Sequence, residues 1–214
     1  MVTTETTGAS GQAAQAAQTG AARGVWGASR LYAVVTTIFG VIGLFMSGLI
    51  MYDKIKLMQD TDFTPACTLN DVVSCTDVMN SEQASAFVIP NPFIGLVGFS
   101  VVTCIGVALL AGARFRAWFW YGFLAGLIFA VGFVHWLAYE AIYNIEALCP
   151  YCMVVWAVVL PLFITTVVGI ARARQRDRGE EVATGAAALF GMPLIVLVVW
   201  YLGFVALILQ QFVF

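Results

Sequence analysis

The sequence predicts an all-α integral membrane protein with five transmembrane helices, and three observations predict it. Hydrophobic residues make up 61% of the 214 and charged residues only 10%, with a mean hydropathy of +0.92. A soluble domain carries roughly 25% charged residues, so this chain cannot cover a water-facing surface. The apolar residues fall into five runs, each near or above the ~18 residues that read as a bilayer span. The basic residues sort to one side of those runs, as the positive-inside rule requires.

Residues 1–29 open with Ala, Thr, Gln and Gly and almost no large apolar side chain. They cannot bury a core and predict a disordered cytoplasmic tail. Residues 30–214 predict one transmembrane domain. Its first span covers about 31–51; it is too long for a signal-peptide core and has no small-residue cleavage site before Asp53. A polar loop, 52–92, follows. The second and third spans, about 93–113 and 118–139, are joined by a short turn around Arg114 and Arg116, which makes them an antiparallel hairpin. The fourth span covers about 150–170 and the fifth about 187–209. Helices are expected throughout because every backbone polar group must be satisfied inside the bilayer. No internal repeat is visible.

With residue 1 on the cytoplasmic side, Arg23, Arg30, Arg114, Arg116, Arg172, Arg174, Arg176 and Arg178 are cytoplasmic, and only Lys54 and Lys56 lie outside. This asymmetry sets the orientation. The net charge of −2 and the lack of a basic stripe with interleaved aromatics set nucleic-acid binding aside. Four of the five cysteines then meet on the outer, oxidising side, where disulfides persist. Cys67 and Cys75 lie in the long loop, and Cys149 and Cys152 lie where the fourth span begins.

Cys149-Pro150-Tyr151-Cys152 is a C-x-x-C motif. Pro150 suits the first position of a helix, which puts Cys149 at the N-cap and Cys152 one turn later on the same face. Unpaired N–H groups and the helix dipole stabilise a thiolate there. The site sits at the lipid–water boundary, within reach of a lipid-soluble molecule. A static disulfide or a metal clip is the alternative, although a zinc site would favour a second C-x-x-C or nearby His ligands. The only histidine, His135, lies inside the third span. The loop around Cys67 and Cys75 is rich in Asp, Thr, Ser and Asn and can move. A water-facing pair beside a lipid-facing pair suggests an electron relay from a soluble dithiol to a membrane carrier. Two independent structural disulfides remain the other reading.

These residues together resemble the vitamin K epoxide reductase family, in particular its bacterial members. The resemblance runs from the first span to the fourth. It rests on a loop pair with seven residues between Cys67 and Cys75, Ser81 six residues after the second cysteine, Asn91 before Pro92-Phe93-Ile94-Gly95, and the span-initiating Cys149/Cys152. The resemblance implies a four-helix bundle around a quinone site, capped by the extracytoplasmic loop, with a fifth peripheral transmembrane helix. It implies a cell-membrane enzyme that oxidises a DsbA-like thioredoxin-fold protein and reduces menaquinone or ubiquinone, needing no metal. Cys67 would exchange with the partner, Cys75 would pass electrons to Cys149, and Cys152 would contact the quinone. Asn91 would hydrogen-bond a quinone oxygen, with Ser81 beside the cysteines. The vertebrate enzyme has Tyr four residues after its last cysteine where this chain has Trp156, whose N–H can donate but not accept. Some bacterial members carry a fused thioredoxin-like domain. The chain ends at Phe214, so the partner is expected in trans.

Further expectations are plainer. Phe87, Phe93, Leu96 and Trp156 are candidates to line a quinone pocket. His135 is expected to be neutral and packed, Glu140 solvated, Cys104 a small buried hydrophobe, and the aromatics at 118–121 an interfacial belt. The alternatives are reduction of vitamin K epoxide or quinone for its own sake, and a non-catalytic membrane scaffold stapled by disulfides.

Overall fold

The computed structural model describes residues 24–60, 62–180 and 191–213. The helices are α1 (Arg30–Gln59), α2 (Cys75–Asn80), α3 (Asn91–Leu110), α4 (Ala117–Tyr139), α5 (Pro150–Asp177) and α6 (Met192–Phe212). All but α2 are long and apolar enough to cross a membrane, so the all-α, five-span expectation holds. Two ends run past the expected limits. α1 continues beyond Met51 to Gln59 and α5 beyond Ile170 to Asp177. The apolar run ends before the helix does, because Lys, Arg, Gln and Met keep the helical backbone as readily as Leu. Most of the predicted N-terminal tail, and residues 187–190 of the expected fifth span, lie outside the described residues.

Residues 24–29, expected within the tail, are structured. Val25–Trp26 (β1) pairs antiparallel with Phe115–Arg116 (β2). Trp26 is buried and donates through Nε1 to Asp177 Oδ2 at 2.6 Å, and Trp120 Nε1 donates to the Trp26 carbonyl. This clasp closes the end of the bundle farthest from the four cysteines.

α1 packs into α3 through small residues. A Cβ built on Gly106 would sit 2.7 Å from the Thr37 backbone nitrogen, and one on Gly40 would sit 3.0 Å from the Thr103 nitrogen. Such close approach is how helices associate where lipid supplies no hydrophobic drive. α1 also meets α5, where Tyr32 OH and Thr166 Oγ1 share a hydrogen bond of 2.7 Å. α4 packs on α5 around Leu127, Val134, Trp156, Val159 and Leu162. α6 has no buried residue and leans on the outside. Trp200 Nε1 donates to His135 Nε2 at 2.8 Å, and Tyr201 OH donates to the Ala157 carbonyl. His135 Nδ1 lies 2.7 Å from the Val131 carbonyl. A ring that accepts at Nε2 and donates at Nδ1 is neutral, as expected for a packed His. Cys104 departs from expectation: it is exposed on the outer, lipid-side surface of α3 rather than buried.

Candidate active site

The α1–α3 connection, residues 60–90, folds over one end of the bundle and is stitched to the α4–α5 connection by backbone bonds. A π-turn, Glu140–Asn144, ends α4 and brings Leu148 beside Val73. Leu148 N donates to the Val72 carbonyl at 2.7 Å, and Ser74 N donates to the Leu148 carbonyl at 3.1 Å. Asn70 shapes the approach, because its Oδ1 accepts from Val72 N and Val73 N, a local turn that Asn favours. Ser74 then caps α2 by accepting from Asp77 N at 3.2 Å, as N-cap serines do. The residue after each stitched strand is a cysteine, so Cys75 and Cys149 are driven together.

Cys67 and Cys75 form a disulfide, while Cys149 and Cys152 are free. Cys75 Sγ lies 3.1 Å from Cys149 Sγ. A disulfide sulfur has no proton, so the Cys149 thiol donates to it. The sulfurs of Cys67, Cys75 and Cys149 all lie within 4.8 Å of one another, packed with Ile50 and Met79. Cys75 and Cys149 are wholly buried. Cys67 keeps 5% of its surface, so of this trio only Cys67 offers a soluble thiol any access. The loop pair is therefore lidded rather than freely facing water.

Cys149 is the N-cap of α5 with Pro150 at the first helical position, and its Sγ accepts from Cys152 N at 3.4 Å. A hydrogen bond from the Cys152 thiol holds the Cys149 thiol below its ordinary value. Burial opposes this, and the N–H groups of Cys152 and Tyr151 reinforce it. Those two N–H groups are the helix N-terminus's share of the effect.

Cys152 and Cys149 open onto a cavity of about 850 Å³ between α1, α3, α4 and α5. Its wall is overwhelmingly apolar, with Phe93, Phe99, Phe133 and Trp156 among its lining residues. Ser81 and Asn91 also line it, and Leu96 and Phe87 do not. Phe87 is half-exposed and packs instead against Phe129 and Phe133. Its neighbour Val88 has a left-handed backbone, φ 69°, which no β-branched side chain favours. Asn91 is more committed than expected: its Nδ2 donates to the Gln83 carbonyl at 2.6 Å and its Oδ1 accepts from Ala86 N. One Nδ2 hydrogen remains. Ser81 Oγ donates to the Val78 carbonyl. Trp156 is buried edge-on against Phe204 of α6.

A family model, the vitamin K epoxide reductase family, matches residues 34–167, which include most of α1, all of α3 and α4, the cap loop and both cysteine pairs. The chain belongs to the vitamin K epoxide reductase family. Comparison with individual curated proteins returns no match. As a vitamin K epoxide reductase family member it is a multi-pass membrane protein and a membrane oxidoreductase, with a disulfide-capable cysteine pair in hand. The family in general uses quinone-type substrates and works with thioredoxin-fold partners.

Among the lining residues that the sequence does not single out as pocket candidates are Lys54, Gln83 and Glu140. In sequence Lys54 is a charge outside the membrane and Glu140 is expected to be solvated. Glu140 is half-buried and accepts from Gln83 Nε2 at 3.2 Å and Asn144 Nδ2 at 2.6 Å. Lys54 donates to the Met79 carbonyl at 2.5 Å. The one available signal was helical phase, since Lys54 falls one turn after Ile50 of the sulfur cluster.

Proposed function

We propose that the protein is a quinone-dependent thiol oxidase of a bacterial cell membrane. It reoxidises a DsbA-like thioredoxin-fold protein in trans and so supports disulfide formation in exported proteins. The N-terminus is cytoplasmic, and the redox end faces outward, where the charge asymmetry puts it. The observation that carries the reading is the 3.1 Å contact between Cys75 of the loop disulfide and Cys149 of the reduced pair that opens onto the cavity.

The chemistry is two-electron thiol exchange. A partner thiolate attacks Cys67, the Cys67–Cys75 bond breaks, and Cys75 leaves as a thiolate. The second partner thiol displaces Cys67, so the partner leaves oxidised and the loop pair is reduced. Cys75 then attacks Cys149 of a Cys149–Cys152 disulfide, and Cys152 is released. Cys67 resolves the Cys75–Cys149 bond. The product is the observed state, with the loop disulfide restored and Cys149/Cys152 reduced. That dithiol gives two electrons to a menaquinone or ubiquinone head in the cavity, losing two protons as the quinone takes up two, and becomes a disulfide again. Asn91 offers its remaining N–H to a quinone oxygen, and Trp156 and the phenylalanines hold the ring. Ser81 lines the same end, and Phe87 backs the wall from outside.

The test is purified protein in detergent, given a reduced DsbA-like protein and a quinone analogue, with quinone absorbance followed. Quinone loss that needs all four cysteines and survives Cys104→Ser supports the oxidase. No turnover across several quinones and partners, with both pairs able to form disulfides, refutes it and leaves the scaffold.

A further inference from the structure

Two charged side chains stand on the mostly apolar wall of the cavity, Lys54 and Glu140, and their situations differ. Glu140 is engaged by two amide donors, Gln83 and Asn144. The other polar groups at that end are also engaged: Ser81 on Val78, and Asn91 on Gln83 and Ala86. Lys54 carries three N–H donors, of which one reaches the Met79 carbonyl. Among the described residues no carboxylate lies within ion-pair distance of it. Two donors of a half-buried ammonium are thus uncommitted, at the cavity that Cys152 also lines. Donors fixed in place beside an apolar cavity are suited to an oxygen on which negative charge develops during a reaction.

We propose that Lys54 is a catalytic residue that binds the oxygen of the electron acceptor on which negative charge builds as the Cys149/Cys152 dithiol is oxidised. The inference rests on the quinone-oxidase reading above and names a group that reading lacks. In the step, two thiols lose two electrons and two protons as the Cys149–Cys152 bond forms. The acceptor gains two electrons. One of its oxygens takes a proton from the Lys54 ammonium and the other takes one from water. Lys54 recovers its proton from water, and the two thiol protons are released to water, so the net reaction is dithiol plus quinone to disulfide plus quinol. The ligand class is a carbonyl acceptor whose reduced form is an oxyanion. A purely apolar electron carrier gains nothing from the ammonium.

The bland role for Lys54 is to tie α1 to the C-terminal end of α2 through Met79, and the test separates the two. Lys54→Gln keeps an N–H for the Met79 carbonyl and removes the charge, Lys54→Met removes both, and Lys54→Arg keeps both. Two readouts are taken on the full chain: kcat for reduction of a ubiquinone analogue, and, without quinone, the division of disulfide between the two cysteine pairs by mass spectrometry after acid quenching. The expectation is a fall in kcat on the order of 10²-fold for Gln and Met, substantial retention by Arg, and an unchanged disulfide division in Gln and Arg. Turnover in Lys54→Gln equal to wild type overturns the proposal, as does a loss of turnover that tracks a changed disulfide division. A wild-type protein that exchanges disulfides but reduces no quinone overturns the oxidase reading and this inference with it.

Discussion

Three glycines on the first and second spans should respond to the same methyl group in three different ways. A Cβ on Gly106 would meet the Thr37 backbone nitrogen at 2.7 Å and its Cα at 2.9 Å. Carbon contacts are comfortable near 3.5–4.0 Å, so α1 and α3 must part by about 1 Å, and backbone cannot swing aside. Overpacking of this kind costs about 1–3 kcal/mol. A Cβ on Gly43 would meet the Phe99 ring at 2.2–2.5 Å, which is nominally worse. Phe99, however, lines the cavity, and its ring can rotate into that space. Gly43→Ala should therefore cost little stability and instead narrow the cavity, raising KM for a quinone with the cysteine chemistry intact. Gly98 has nothing within 4 Å, and Gly98→Ala should gain up to about 1 kcal/mol of helix propensity. The assay is detergent or thermal unfolding of the three variants beside steady-state quinone reduction. Equal stabilities for Gly106→Ala and Gly98→Ala would refute the packing argument. A Gly43→Ala protein with unchanged KM would refute the placement of Phe99 at the quinone site.

Cys152→Ser should leave Cys149 no partner but Cys75, 3.1 Å away, so peptide mapping under non-reducing conditions should find a Cys75–Cys149 bond accumulating. Recovery of only Cys67–Cys75 would speak against direct contact. Because hydrogen bonding from Cys152 holds the Cys149 thiol below its ordinary value, its thiolate should form as pH rises, with a midpoint below that of a free thiol. Cys152→Ala should move that midpoint up, read by thiolate ultraviolet absorbance in a Cys67→Ser, Cys75→Ser background. Asn91→Ala removes two hydrogen bonds that pin residues 83–86 to the start of α3. At about 1 kcal/mol each, it should loosen that segment in hydrogen exchange as well as weaken quinone binding, whereas an effect on binding alone would mean the loop bonds are dispensable.

The spans were legible because membrane burial is a matter of composition, which needs no knowledge of packing. Cys149 at an N-cap was legible because Pro150 tolerates few other helical positions, and the structure bears it out. Helical phase was not legible where a span is apolar all round. α3 has no polar face, so Cys104 could not be assigned a side. Only Gly95 and Gly106, whose added Cβ atoms would strike Ser47 and Thr37, betray the packed face. Phe87, one of the candidate lining residues, packs on Phe129 and Phe133 beside a left-handed turn at Val88, and nothing in the sequence requires a β-branched residue to adopt that turn. The end of α1 was hidden for a related reason. Polarity marks where a helix leaves lipid, not where its hydrogen bonds stop, so Lys54 looked like loop and proved to be wall.

The contact between the two cysteine pairs also governs what sets the direction of flow. Sulfurs held 3.1 Å apart in a buried pocket need no diffusion to exchange, and such proximity makes the step effectively unimolecular. Exchange within the protein should therefore equilibrate faster than either outside reaction. The division of disulfide between the pairs then reports their difference in potential, about 30 mV for each tenfold ratio. Restoring the loop disulfide at the expense of Cys149–Cys152 keeps Cys67, the one sulfur of the buried trio with exposed surface, ready for the next partner while the reduced pair waits on the cavity. On the proposed function, electrons would then be held on the cavity side before an acceptor arrives. In that scheme a quinone would need only to be a strong enough oxidant to empty that pair, and the partner only a strong enough reductant to reduce the Cys67–Cys75 disulfide.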